Sequence, residues 1–159
     1  MRLTLALCLV APALSACVCV PPGVKADFDT ASAVFRGVVT NVRELPVRPD
    51  VDRPRYAVTF LVSEYWKGVS AREVTLHVMR PGTDCVGARF DLRTEYVVFA
   101  TSKKADDYRL GGRIWYGWLD LMPAGTEFLT VNNYCDSTAL FKDARKTIRA
   151  LGKGKKPSA

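Results

Sequence analysis

Hydrophobic and polar positions alternate with a period of two along much of this chain, a period that predicts strands. The clearest run is Arg55 to Trp66: Tyr56, Val58, Phe60 and Val62 fall on one face, and Ala57, Thr59 and Ser63 on the other. Val74, Leu76 and Val78 repeat the pattern in a second strand, ended by Pro81-Gly82. Val34 to Leu45 reads as a strand containing Gly37, which suits a bulge or sharp bend. Tyr96 to Ala100 is apolar throughout, as a strand buried on both faces would be. Glu127 to Val131 reads as a short extended piece. Near the C terminus the period changes. Leu140, Ala144, Ile148 and Leu151 fit one face of a helix capped by Ser137 and running to about Ala150. Gly23 to Ala33 reads as a short helix or irregular lead-in anchored by Phe28.

Breakers punctuate these runs. Pro46 to Pro54 holds three prolines and charges of both signs, which marks an exposed loop. Lys67-Gly68 marks a turn, and Lys103 to Asp107 a charged one. Leu110 to Leu121 is rich in aromatics; its Trp115, Tyr116 and Trp118 read as core or barrel-closing side chains. There is no internal repeat and no sign of a second domain. Several short strands with flanking helices, one of them C-terminal, predict a mainly β fold. An OB-type five-stranded barrel matches the strand count, and a β-sandwich is the competing solution. Residues 17–151 form the expected domain, and the polar stretch 152–159 is expected to be a disordered basic tail.

The first residues have a different character. Arg2 is the only charge before Lys25, and Leu3 to Ala16 are apolar or small. The run is too short to span a bilayer but matches the core of an export signal, so residues 1–16 are expected to be removed. The mature chain is then extracellular or periplasmic. Leu14-Ser15-Ala16-Cys17 also resembles a lipobox, which would instead leave a lipoprotein anchored at Cys17. Ordinary cleavage after Ser15, with small residues at Ala13 and Ser15, would leave Ala16 ahead of Cys17.

Export changes the reading of the cysteines. Cys8 lies in the signal; Cys17, Cys19, Cys85 and Cys135 remain, enough for two disulfides. A Cys17–Cys19 link closes a very small ring. That leaves two pairings open: 17–85 with 19–135, or 17–135 with 19–85. Loops of this length contribute about 4–5 kcal/mol in the chain-entropy model. A structural zinc is disfavoured, because no CxxC pair exists and His77 is the only histidine. His77 alternates with Leu76 and Val78 and is expected on the outer face of its strand. No serine or cysteine has a recognisable catalytic partner arrangement, so neither an enzyme nor a cofactor is expected. The net charge of +7 favours acidic partners in general. Export and disulfides argue against nucleic acid.

The start of the mature chain carries the most specific signal. Cys17-Val18-Cys19-Val20-Pro21-Pro22 places both sulfurs on one side of an extended segment stiffened by two prolines. This start, with Phe28 beyond it, resembles that of the tissue inhibitors of metalloproteinases. The remainder resembles the shorter bacterial relatives of those inhibitors, through Val34-Phe35-Arg36-Gly37-Val38-Val39, Trp66-Lys67-Gly68, Cys85, Tyr96-Val97-Val98-Phe99-Ala100 and Cys135-Asp136-Ser137-Thr138.

The resemblance implies a netrin-like module over residues 17–150 and disulfides Cys17–Cys85 and Cys19–Cys135. It implies a zinc metalloendopeptidase as partner. Cys17 would bind the protease's zinc through its α-amine and carbonyl oxygen, and Val18 would enter the specificity pocket. Cys19, Val20 and Pro21 complete the inhibitory edge. An α-amine with a pKa near about 7.7–8.0 loses its proton cheaply to a metal, and a catalytic zinc keeps an open position. Two departures from the pattern stand out. Asp29 occupies the place of a further cysteine, and the second, cysteine-rich domain of the animal inhibitors is absent. The alternative function is a non-inhibitory exported netrin-like binding module, in contact with membrane only if Cys17 is lipidated.

Overall fold

The computed structural model describes residues 22–46, 55–80, 87–105, 109–110, 113–114, 122–123, 125–131 and 136–158. A short helix α1 (Val24–Thr30) precedes strands β1 (Ala33–Leu45), β2 (Arg55–Lys67), β3 (Glu73–Met79) and β4 (Glu95–Lys104). A two-residue pair follows, β5 (Arg109–Leu110) with β6 (Arg113–Ile114). Then come β7 (Glu127–Thr130), β8 (Ala139–Leu140), a 3-10 turn Phe141–Asp143 and helix α2 (Arg145–Leu151).

The sheet closes on itself. Its order is β1-β2-β3-β7-β4, and β4 pairs back onto β1. All pairings in this circuit are antiparallel except β3 with β7, where Leu76 lies beside Leu129. The result is a closed five-stranded barrel of OB type, not a sandwich, with one helix before it and one at its C-terminal side. β1 serves two partners because it is bulged. Its register against β2 slips at Val34/Phe35, Arg36/Gly37 and Val39/Asn41, which bends the strand far enough to meet β4. Gly37 sits at one slip, where a Cβ would lie 3.0 Å from the Leu61 carbonyl oxygen.

Two cores lie on opposite sides of the barrel wall. Inside, Phe35, Phe60, Phe90 and Tyr96 meet edge to face, with ring centroids 5.4, 5.1 and 5.0 Å apart in succession. Outside, α1 and α2 cover Val34, Val97 and Phe99 with Ala31, Phe28, Ala144, Ile148 and Leu151. β4 serves both, since Tyr96, Val98 and Ala100 face inward and Val97 and Phe99 outward. That division explains why its sequence shows no alternation.

Two expectations are corrected. Ser137 does not cap a long helix. Ala139 and Leu140 are extended and pair with Val97 and Tyr96, so helix α2 begins only at Arg145. Leu140 packs against the inner core while Ile148 and Leu151 join the outer one, so the expected single face is split. The stretch from Gly152 is also not a disordered tail. Tyr65 and Lys155 exchange two backbone hydrogen bonds of 2.9 and 2.8 Å. Glu64 accepts the Gly154 amide at 2.8 Å, and the Ser158 amide donates to the Ser70 carbonyl at 2.8 Å. The cause is an open edge: β3 pairs with β2 only as far as Leu61, and the backbone beyond it takes the tail as its partner.

Candidate functional site

The inhibitory edge expected at Cys17, Val18, Cys19, Val20 and Pro21 lies outside the described residues. So do Cys85, Cys135, and the aromatic residues Trp115, Tyr116 and Trp118. Their described neighbours converge on one end of the barrel. Gly87 and Ala88, just after Cys85, line a small cavity of about 170 Å³ together with Val131 and Asp136, which bracket the Cys135 segment. Tyr96, Leu140 and Thr138 complete much of its wall.

The Asp136-Ser137-Thr138 run is a clamp between α1 and β4. Ser137 donates its hydroxyl to Asp27 Oδ2 at 2.5 Å, and Asp27 is buried on α1. The Asp136 carboxylate accepts the Thr138 amide at 2.8 Å. The Thr138 hydroxyl in turn accepts the Phe99 amide of β4 at 2.9 Å. Burial pushes the Asp136 carboxyl above the ordinary carboxylate range, with the Asp27 charge adding to it and the Thr138 bonds opposing. The clamp thus ties the start of the domain to the residues after Cys135.

The other end of α1 is held as well. Lys67 donates its ammonium to the Phe28 and Asp29 carbonyls at 2.8 and 3.0 Å, satisfying the last turn of the helix. Trp66 donates its indole N–H to the Gly152 carbonyl at 2.9 Å. The Trp66-Lys67-Gly68 turn is therefore where both helices are fastened to the barrel. Arg36 pairs with Glu95 at 2.8 Å and lies over the Phe141 ring at 3.5 Å, fixing the 3-10 turn against the wall. Asp27 and Glu95 carried no sequence signal, because their partners lie far away in the chain.

Beside the small cavity is an open cleft of about 620 Å³ lined by Val42, Tyr56, Val78, Arg80, Phe90 and Leu92 among others. Val42 and Leu92 are two of the few large apolar side chains exposed among the described residues, at 38% and 52%. Arg80 adds positive charge at the rim, where Arg89 is paired with Asp91 at 3.1 Å. Such a mixture suits recognition of a partner more than bond chemistry. His77 keeps to the outer face of β3 but is half-buried beneath Phe128, stacked at 5.7 Å. Burial, with Arg43 nearby, lowers its pKa below the ordinary histidine value. Among the described residues, no group of three His, Cys, Asp or Glu side chains is placed to hold a metal ion. No helix among them is long and apolar enough to cross a membrane. No protein-family model matches this chain, and no curated protein sequence matches it.

Proposed function

We propose that this protein is an exported inhibitor of zinc metalloendopeptidases, and that it acts with the free N terminus of Cys17. The observation that supports this reading is the convergence of two loops on one end of a closed OB-type barrel. The residues that follow Cys85 and those that bracket Cys135 share one cavity, and the clamp from Ser137 to Asp27 brings the helix that follows Pro22 to the same segment. Disulfides Cys17–Cys85 and Cys19–Cys135 would join a Cys-x-Cys start to two such loops. The netrin-like start of the chain then forms a wedge with little entropy left to lose on binding.

In this mechanism the Cys17 α-amine, deprotonated, and the Cys17 carbonyl oxygen coordinate the protease's zinc and displace its water. Val18 fills the adjoining pocket. Lipidation of Cys17 would put a thioether on its sulfur and, with acylation of the amine, remove the ligand. A retained Ala16 would turn that amine into an amide.

The test compares the mature domain beginning at Cys17 with one beginning at Ala16, against a panel of zinc endopeptidases. The first is expected to inhibit and the second to be weaker by orders of magnitude, for want of the amine–zinc bond. Equal potency excludes chelation. The exposed Val42 and Leu92 beside Arg80 favour a second reading, a non-inhibitory binding module, and absence of inhibition by either form supports it.

A further inference from the structure

The docked C-terminal segment creates a surface that the inhibitory reading does not use. Helix α2 turns Ala144, Ile148 and Leu151 toward the outer core. Its opposite face presents Arg145, Lys146 and Arg149, all exposed, with Lys142 just before it. The chain then passes through Gly152 into the extended piece on β2, which carries Lys153 and Lys155, also exposed. Within the segment Asp143 is the one carboxylate side chain between Lys142 and Lys156, and Glu64 of β2 meets it at the Gly154 amide, so the segment's cations outnumber the carboxylates on it. None of these six cations has an ion-pair partner among the described residues; elsewhere Lys25, Arg36 and Arg89 are each paired with an aspartate or glutamate, while the exposed Arg43, Arg72 and Arg93 are likewise unpaired but are spread over separate elements.

An unneutralised set of cations costs the folded state self-repulsion, and a disordered tail would relieve it. Here the charges are instead held in place by backbone bonds from Lys155 to Tyr65 and from Ser158 to Ser70. Helix α1, which packs beside α2, carries its one lysine, Lys25, paired with Asp29. It lacks the large exposed apolar side chains that insert into a bilayer; among the described residues these are Val42, Leu61 and Leu92, none of them on the ribbon.

We infer that the ribbon of Lys142, Arg145, Lys146, Arg149, Lys153 and Lys155 is a binding site for an acidic polysaccharide. A linear chain of sulfate or carboxylate groups matches a narrow ribbon of cations and needs no apolar anchor. The ribbon's tail portion is fastened at Tyr65, nine residues along β2 from Tyr56 in the cleft, or about 30 Å at strand spacing. This assignment does not depend on the inhibitory reading.

The test measures binding of a heparin oligosaccharide to the full mature chain at two salt concentrations. The wild type is expected to bind and to weaken by about tenfold or more between 50 and 200 mM salt, as counterion release requires. A Lys146→Gln, Arg149→Gln, Lys153→Gln variant is expected to lose at least about tenfold at the lower salt. A control with equal charge loss elsewhere, Arg43→Gln, Arg72→Gln, Arg93→Gln, is expected to lose no more than about threefold. All these side chains are exposed, and matching thermal melts confirm that each variant is folded. Equal losses in the two variants reduce the effect to net charge and overturn the site. Tighter binding to phosphatidylglycerol vesicles than to heparin, through the same three residues, overturns the polysaccharide assignment in favour of a membrane surface.

Discussion

Ser137 and Asp27 stand 110 residues apart in the chain and 2.5 Å apart in space, the serine hydroxyl donating to the buried carboxylate. This contact fastens the helix at the start of the domain to the segment after Cys135. Replacing Ser137 with Ala leaves Asp27 short of a donor without opening a path to water. Hydrogen bonds to charged groups contribute about 1.5–3 kcal/mol, so urea unfolding of the variant should show a loss of that order. A Ser137→Thr variant, which keeps the hydroxyl, should recover most of it.

Asp136 beside this contact has its pKa raised, chiefly by burial. Its folded form therefore holds a proton more tightly than the unfolded chain does. The stability it contributes is fully present below the ordinary value of 3.8 and is lost as pH rises through the folded value. Asp136→Asn keeps an acceptor for the Thr138 amide and removes the charge. Paired unfolding curves at pH 3.5 and pH 7 should show the variant gaining on the wild type at the higher pH.

His77 works in the opposite direction. Burial between its strand and Phe128 lowers its pKa below 6.5, so the unfolded chain takes up the proton first. Stability is expected to fall as pH drops below 6.5, until the folded histidine is also charged. His77→Phe retains an aromatic ring against Phe128. Stability measured between pH 7.5 and 5 should be flatter in that variant.

Gly68 and Gly125 share a left-handed backbone, with φ of 74° and 77°, yet they differ in surroundings. A Cβ on Gly68 would lie 1.9 Å from the Ser32 carbonyl oxygen, while one on Gly125 meets nothing within 4 Å. Gly125→Ala should cost only the backbone term, about 1–2 kcal/mol. Gly68→Ala should cost clearly more, because the turn that holds both helices must shift. Thermal melts of the two single variants make the comparison.

The docked tail predicts a pattern of amide protection. The Tyr65 and Lys155 amides bond to each other's carbonyls, and the Ser158 amide bonds to Ser70. Hydrogen exchange should find all three slowed. Truncation after Gly152 should speed exchange at Tyr65 by about tenfold or more while sparing Phe60, whose strand partner is Val74.

Much of the barrel was legible from local pattern. β2 and β3 alternate because one face of each meets the inner core. The β4 run Tyr96 to Ala100 is uniformly apolar because it serves two cores. Both features follow from the period-2 geometry of a strand and need no knowledge of neighbours. Gly37 marked a bend in β1 for the same local reason. The reading failed where the deciding partner was distant. Ser137 has the side chain of a cap, but β4 draws the next residues into a strand pairing and Asp27 takes the hydroxyl. The composition of 152–159 is that of a solvated tail, but the open edge of β2 offers backbone groups that bond it in place.

The sequence by itself left the lead-in around Phe28 open between a short helix and irregular chain; it determined the mainly β class and placed Cys17, Cys19, Cys85 and Cys135 after an apolar first stretch. These depend on covalent order and on side-chain periods a few residues long. Tertiary structure alone decided that β1 closes the barrel against both β2 and β4, that the neighbours of Cys85 and Cys135 share one cavity, and that six cations of the C-terminal segment stay on a fixed ribbon. Each of those outcomes rests on hydrogen bonds or packing between residues far apart in the chain. No local pattern encodes which distant edge, carbonyl or carboxylate will be in reach once the barrel has closed.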